Sequence, residues 1–286
     1  MRETGKDVGT MNDVQNLRDL KQLSPTQLRR LIRTGQYTED TTGLAMGYIQ
    51  ANLAILPEKY ALDFATFCQR NPKPCPLIAV SEVGSVELPT LAHDFDLRTD
   101  VSKYRIFRDG EFIEAVTDIS DHWQDDFVAF ALGCSYSFEE ALVAAGLPLR
   151  HLDLGRAVPA YETNIQTTKS GPFEGGMVCS MRPFKPADAI RAVEVTSRFP
   201  LTHGAPVHFG DPAAIGIDDI MKPEYGDPPV IEEGEVPVFW ACGITPQVVV
   251  TNAKPNICIT HFAAHMLITD LPSKGSAEVL PKLAGA

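Results

Sequence analysis

Strand-like and helix-like segments alternate through the last part of the chain. The strand-like segments are apolar and lie at 176–184, 205–210, 236–243 and 256–261. A helix-like segment lies between the members of each pair, at 185–199 and at 245–254. Strands that alternate with helices favour a parallel sheet covered by helices. The pattern therefore predicts an α/β fold whose larger domain is a mostly parallel sheet covered by helices.

The segment 86–160 has a different character and predicts a smaller α+β domain. Within it, 104–116 consists of two strand-like runs that meet at Asp109 and Gly110, a pair that tight hairpin turns prefer. The larger domain is then expected to comprise residues 1–85 and 161–286.

Helices are predicted at several further positions. Ser24 and Pro25 are typical of the N-cap and first position of a helix that Gly35 ends. Apolar residues from Trp123 to Cys134 recur at helical spacing and predict a second helix.

The composition limits the partners. The chain has 286 residues, of which 44% are apolar and 22% charged, and its formal net charge is −12. Nucleic acids and anionic membranes bind basic surfaces, so neither is expected as a partner. A single pocket can still be locally positive. The first twenty residues contain no apolar segment typical of a signal peptide. We therefore expect a cytoplasmic protein whose substrate can still be a small anion, and the sequence leaves homo-oligomerisation open.

Polar residues stand where the predicted strands end, and ligands gather at the carboxyl ends of parallel strands. Cys242, Gly243 and Thr245 form a corner between a strand and a helix, whose free N–H groups attract anions. The other corners carry Ser180, Arg182, His208, Asp211 and His261. We expect Arg182, His208, Cys242 and His261 to converge on one pocket.

These residues also have structural interpretations. Cys242 is typical of a small buried apolar side chain, and Gly243 of a turn. Arg182 could equally pair with an acid, and His203 and His208 could belong to the core. Asn52 and Asn164 are of a type common in turns and caps.

No metal and no cofactor are expected. The six cysteines form no C-x-x-C pair, and a disulfide scaffold is not expected in a cytoplasmic chain. His261 and His265 have the spacing of a zinc-binding helix, but the glutamate of H-E-x-x-H is missing. The chain also lacks a P-loop and a G-x-G-x-x-G after a strand.

Seven segments resemble a known family. They are GLAMGYIQANLAILP, FCQRNPKPCPLI, GCSYSFEEAL, VCSMRPF, SRFPLTHGAPVHFGDP, GEVPVFWACGITPQ and AKPNICITH. Together they resemble the bacterial hydro-lyase family related to mitochondrial D-glutamate cyclase. The resemblance implies a carbon–oxygen lyase that removes water from a small carboxylate or amino acid, with closure of D-glutamate to 5-oxo-D-proline as the candidate reaction. It also implies a two-domain α/β fold, with a three-layer, mostly parallel sheet domain and a smaller two-layer α+β domain.

The cyclisation requires a neutral amine, a polarised γ-carboxyl group and a route for the departing oxygen. His208 or His261 is expected to exchange the protons. Arg182 is expected to bind a carboxylate, while Cys242 and the N–H groups of residues 243–245 line the oxyanion side. The remaining candidates for substrate binding are Ser180, Asp211 and Asn164.

The chain departs from the family pattern at Glu162, where many relatives carry a basic residue, and in the loop 167–176. Two other functions stay open at this point. One is a thiol-dependent amidase or acyl-transfer enzyme that uses Cys242 or Cys134. The other is a binding protein for small carboxylates without catalysis.

Overall fold

A computed structural model describes residues 17–273 of the chain, so both ends of the predicted larger domain lie outside the described residues. Within that range the framework consists of two β-sheets. The first sheet contains β1 (Tyr48–Pro57), β2 (Leu77–Val80), β3 (Tyr104–Arg108), β4 (Glu111–Val116), β5 (Phe127–Gly133), β10 (Cys258–His261) and β11 (Leu267–Pro272). The second sheet contains β6 (Ala160–Gln166), β7 (Gly176–Phe184), β8 (His208–Phe209) and β9 (Val236–Ala241).

The helices cover these sheets. They are α1 (Leu17–Leu20), α2 (Pro25–Arg33), α3 (Glu58–Arg70), α4 (Tyr136–Ala144), α5 (Arg150–Asp153), α6 (Pro186–Thr196) and α7 (Ile244–Asn252). The predicted helix after Ser24 is confirmed as α2. Ser24 and Gln27 form a reciprocal capping box, in which each side chain accepts a hydrogen bond from the other residue's backbone N–H.

The predicted mostly parallel sheet is wrong, because every strand pair between named strands is antiparallel. The predicted strand–helix–strand units do not close within one sheet. Strand β9 belongs to the second sheet and β10 to the first, so α7 connects two sheets. Strands β7 and β8 both pair with β9 and not with each other. The coarser prediction of a mixed α/β protein is confirmed.

The hairpin at 104–116 is confirmed, and the helix predicted from Trp123 to Cys134 is wrong. Asp109 and Gly110 both adopt positive φ angles, 51° and 84°, as the tight turn requires. Most of the second segment is β5, in which all seven residues are buried. A strand buried on both faces is a continuous apolar run, and such a run can imitate helical spacing.

The strands do not group as the predicted boundaries would group them. β3, β4 and β5 come from the segment 86–160, yet they belong to the same sheet as β1 and β10. The second sheet is built from residues 160–241. A division into two domains stays a proposal, with the two sheets as its natural halves.

Two helices cross from one sheet to the other. Helix α4 follows β5 of the first sheet, but its Phe138 packs in one cluster with Trp240 of the second. Helix α7 follows β9 of the second sheet, but its Val249 and Val250 pack in the core of the first. Each corner between strand and helix therefore lies at the seam between the sheets.

Candidate functional site

A cavity of about 380 Å³ opens at this seam. Its wall contains the starts of both crossing helices, at Cys134–Tyr136 and at Cys242–Ile244, together with residues of β1, β3 and β10. A volume of this size suits a small metabolite.

Two helices begin at the cavity wall, where the thiols of Cys134 and Cys242 are the side chains within reach of their first N–H groups. Helices α4 and α7 each contain nine residues, and neither start is capped by a side chain. The first N–H groups of a helix have no intrahelical acceptor, and they carry the positive end of the helix dipole. The first turn of α4 contains Glu139, whereas the first turn of α7 contains no acidic residue. The start of α7 is therefore the better place for an anion.

Arg105 supplies the charge of the cavity wall. It is the only ionised side chain among the described residues that line the cavity. Its guanidinium carbon lies 5.0, 5.2 and 5.9 Å from the ring centres of Phe107, Phe112 and Phe262. Within residues 17–273 no carboxylate forms an ion pair with it, and its buried Nε has no hydrogen-bond partner. Burial lowers the pKa of Arg105, but a guanidinium stays charged at neutral pH.

Arg182, the carboxylate ligand predicted from the sequence, lies outside the cavity wall. It is 1% exposed, and its guanidinium donates to Glu139 through both Nε, at 2.9 Å, and Nη2. It also donates to the hydroxyl of Ser180 at 3.0 Å. Burial raises the pKa of Glu139, but the charge of Arg182 and a hydrogen bond with His151 outweigh it and hold that pKa below its usual value. Arg182 therefore has its anion already.

His261 lines the cavity and is 2% exposed. Its Nδ1 accepts a hydrogen bond of 3.1 Å from the N–H of Leu53, which leaves the ring proton on Nε2. Nε2 lies 3.1 Å from the side-chain amide of Gln247. Burial lowers the pKa of His261 to about 4. The imidazole is therefore neutral at physiological pH.

The two cavity cysteines are protonated thiols. Burial raises the pKa of Cys134 to about 12 and also raises the pKa of Cys242. A thiol attacks as the thiolate, and in the described part of the chain no imidazole forms a hydrogen bond with either sulfur. This arrangement disfavours the thiol-dependent alternative.

The other predicted residues divide into two groups. Gly243 lines the cavity beside Cys242. Thr245 is fully buried and ties α7 to β7, because its Oγ1 accepts from the N–H of Val178 at 3.0 Å. Ser180 is fully buried beside Arg182.

His208, Asp211 and Asn164 do not line the cavity, and neither does Arg182. Of the four residues predicted to converge on one pocket, Cys242 and His261 share this wall. The Nε2 of His208 lies 2.8 Å from the carbonyl oxygen of Asp211. Asp211 is exposed and caps a short 3₁₀ turn through the N–H of Ala213. Asn164 is exposed near Gly216.

Sequence reasoning missed Arg105 as a site residue and placed Asn52 among turn and cap residues. Arg105 lies in the predicted hairpin, and an arginine in a strand carries no signal of its own. A hint was available for Asn52, because it is a polar residue within the apolar run of β1.

The family departures lie outside the cavity wall. Glu162 is exposed and accepts a hydrogen bond of 3.0 Å from the hydroxyl of Tyr225, which does line the cavity. No residue of the loop 167–176 lines it. This loop packs against α3, where Phe173 stacks edge-on against Phe64.

Metal-independence stays a prediction. Among residues 17–273, no three His, Cys, Asp or Glu side chains are grouped as metal ligands. In the same range, no helix combines the length and the apolar character needed to cross a bilayer.

Comparisons with known proteins identify relatives that cover most of the chain. A protein of Bordetella petrii is 59% identical over 84% of this chain and 90% of its own length. A protein of Verminephrobacter eiseniae is 58% identical over 86% and 89%, and one of Rhizobium johnstonii is 54% identical over 92% and 98%. Each carries the name "Putative hydro-lyase".

Among solved structures, a nitrogen repressor-like protein of Methanococcus jannaschii aligns with 82% of this chain and 91% of its own, at 11% identity and a TM-score of 0.34. That likeness is too weak to carry an argument.

The model of the D-glutamate cyclase family matches residues 128–270. Together with the relatives' names, this match supports a lyase-type function. The chain belongs to the D-glutamate cyclase family.

Proposed function

We propose that the protein is a lyase that removes water from a small amino dicarboxylate, and that it converts D-glutamate to 5-oxo-D-proline. The observation that carries this proposal is the charge of the cavity wall. In a protein with a net charge of −12, the lining contains the unpaired cation of Arg105 and two uncapped helix starts, and its described residues include no carboxylate. Such a wall favours an anionic ligand.

Glutamate has two carboxyl groups, and the cavity offers two kinds of anion ligand. The guanidinium of Arg105 binds one carboxylate by charge-assisted hydrogen bonds. The N–H groups at the start of α7 hold an oxygen of the other. We assign the α-carboxylate to Arg105 and the γ-carboxyl to α7, because the N–H groups then face the oxygen on which charge develops.

The reaction needs no net proton from the protein. The amine nitrogen forms a bond with the γ-carbon, one carbon–oxygen bond breaks, and the oxygen leaves as water with two protons that the ammonium group has lost. His261 is the proposed carrier of these protons, since it is the imidazole at the cavity wall. Leu53 occupies Nδ1, so the exchange with the substrate takes place at Nε2.

The experiment is NMR spectroscopy of the purified protein with D-glutamate, L-glutamate and a panel of 2-amino and 2-hydroxy dicarboxylic acids. We expect 5-oxoproline to accumulate from D-glutamate. If every acid stays unchanged while one of them raises the melting temperature, the protein binds carboxylates without catalysis and the proposal is contradicted.

A further inference from the structure

Asn52 presents an unpaired amide oxygen to the cavity. This residue of β1 is 4% exposed and lines the cavity. Its Nδ2 donates a hydrogen bond of 2.8 Å to the carbonyl oxygen of Gly133. That contact assigns the two amide atoms, because a carbonyl oxygen cannot donate. Within residues 17–273 no group donates a hydrogen bond to Oδ1 of Asn52, and this atom is not fully enclosed by other protein atoms. It is therefore an acceptor that borders the cavity.

Gly243 brings the start of α7 into contact with this amide. A Cβ atom at position 243 would lie 2.1 Å from Nδ2 and 2.7 Å from Oδ1 of Asn52. Only a glycine leaves room for this approach. The N–H groups of Gly243 and Ile244 precede the first intrahelical hydrogen bond and have no side-chain cap. Both N–H groups lie within hydrogen-bond reach of the Cys242 thiol, which is a weak acceptor. A buried acceptor and two weakly paired donors thus lie side by side.

We infer that this corner recognises the N–H and C=O edge of a five-membered lactam, and that Asn52 positions the nitrogen of the substrate. In such a ring the N–H and the carbonyl oxygen point to the same side. The N–H donates to Oδ1 of Asn52, and the carbonyl oxygen accepts from the N–H groups of Gly243 and Ile244. This inference rests on the proposed function, whose product is such a lactam.

The same contacts fit the step that forms the ring. When the nitrogen has joined the γ-carbon, the nitrogen still carries a hydrogen and the former carbonyl oxygen carries negative charge. Asn52 then holds the nitrogen, and the start of α7 holds the oxygen. The remaining carboxylate is free to bind Arg105, so the three contacts fix the ring in one orientation.

The test compares two ligands of the unaltered protein by calorimetry. One is 5-oxo-D-proline, and the other is the lactone of the same configuration, in which a ring oxygen replaces the N–H. We expect the lactone to bind at least about tenfold more weakly, because it leaves the buried Oδ1 unpaired. Equal affinities, with D-glutamate still converted, would overturn the inference alone. If neither ligand binds and D-glutamate is not converted, the proposed function fails and the inference with it.

The variant Asn52→Leu gives an independent test, because it has a similar size and no acceptor. We expect its affinity for the lactam to fall to that for the lactone, while the affinity for the lactone stays unchanged. A preference for the lactam that persists in a folded Asn52→Leu protein would contradict the assignment. If the variant does not fold, the comparison of ligands on the unaltered protein still decides.

Discussion

Arg182 is buried and Arg105 is half-buried, and their surroundings are opposite. Arg182 is enclosed with the carboxylate of Glu139 and the hydroxyl of Ser180. Arg105 stacks on aromatic rings at the cavity wall, and within residues 17–273 no carboxylate pairs with it. A cation with an internal partner holds the structure, while a cation without one beside a cavity can bind an anion. The difference teaches that the partner of an arginine indicates its role.

The largest effect on stability is expected when Arg182 is replaced, and this replacement tests the structural role that the comparison gives it. Its loss leaves the buried carboxylate of Glu139 with His151 as its remaining partner. We expect Arg182→Met to lower the free energy of unfolding by about 3–5 kcal/mol, as measured by urea denaturation. The double variant Arg182→Met/Glu139→Gln should recover much of that loss. A change below about 1 kcal/mol in the single variant would show that Arg182 has no structural role.

The second prediction concerns pH, because the buried histidines and the cavity respond differently. Burial lowers the pKa of His203 and of His261 to about 4, below the value of about 6.5 in an unfolded chain. The unfolded state therefore binds more protons, and stability is complete above about pH 6.5. It is lost as the pH falls toward 4, by about 2–3 kcal/mol for each histidine.

The affinity of the cavity for its substrate should stay constant over the pH range in which the protein is fully stable. The pKa of Tyr225 is raised to about 12 by burial, and burial likewise raises those of Tyr136, Cys134 and Cys242. No cavity group with a shifted pKa then titrates from about pH 6.5 to about pH 8. Unfolding curves measured as a function of pH test the predicted loss of stability, and the KM for the substrate measured across pH tests the predicted constant affinity. A KM that rises tenfold within this window would contradict the account of the cavity wall.

The third prediction concerns Gly243. An alanine there would place its Cβ 2.1 Å from Nδ2 of Asn52. We expect Gly243→Ala to cost about 1–3 kcal/mol of stability through overpacking. Adding Asn52→Ala removes the clash, so the double variant should be more stable than the sum of the two single effects predicts. Additive losses in urea denaturation would mean that the two residues are not in contact.

The smallest effect is expected at the thiols. Cys134 and Cys242 line the cavity as protonated thiols. We expect Cys134→Ala and Cys242→Ala to change kcat/KM by less than about tenfold. Removing a true nucleophile typically costs about 10⁴-fold or more. Rapid alkylation by iodoacetamide with complete loss of activity would restore the thiol-dependent alternative.

The sequence predicted local structure better than it predicted long-range pairing. The capping residues at α2 and the turn pair of the hairpin interact only with residues close to them in the sequence. Their patterns can therefore be recognised from the sequence alone. The direction and sheet of each strand depend on distant partners. Strand β5 was mistaken for a helix, because seven buried residues in a row carry no alternation.

The same difference between local and long-range contacts explains which residues of the candidate site could be predicted from the sequence. Gly243 and Cys242 stand at a strand–helix corner that the sequence marks directly, and both line the cavity. Arg105 reaches the cavity because β3 pairs with β10, where Arg105 lies opposite Thr260. That pairing joins residues far apart in the chain. Arg182 looked equally suitable from the sequence, since its pairing with Glu139 depends on how α4 packs against the second sheet.

The most direct test of the central claim is the affinity of 5-oxo-D-proline for Arg105→Gln, with Arg108→Gln as the matched control. Arg108 lies on the same strand and is exposed, and it does not line the cavity. Calorimetry should show a Kd about 10- to 150-fold higher for Arg105→Gln, because a hydrogen-bonded charge is lost, and an unchanged Kd for Arg108→Gln. An unchanged Kd in a folded Arg105→Gln protein would contradict the claim that Arg105 binds the carboxylate.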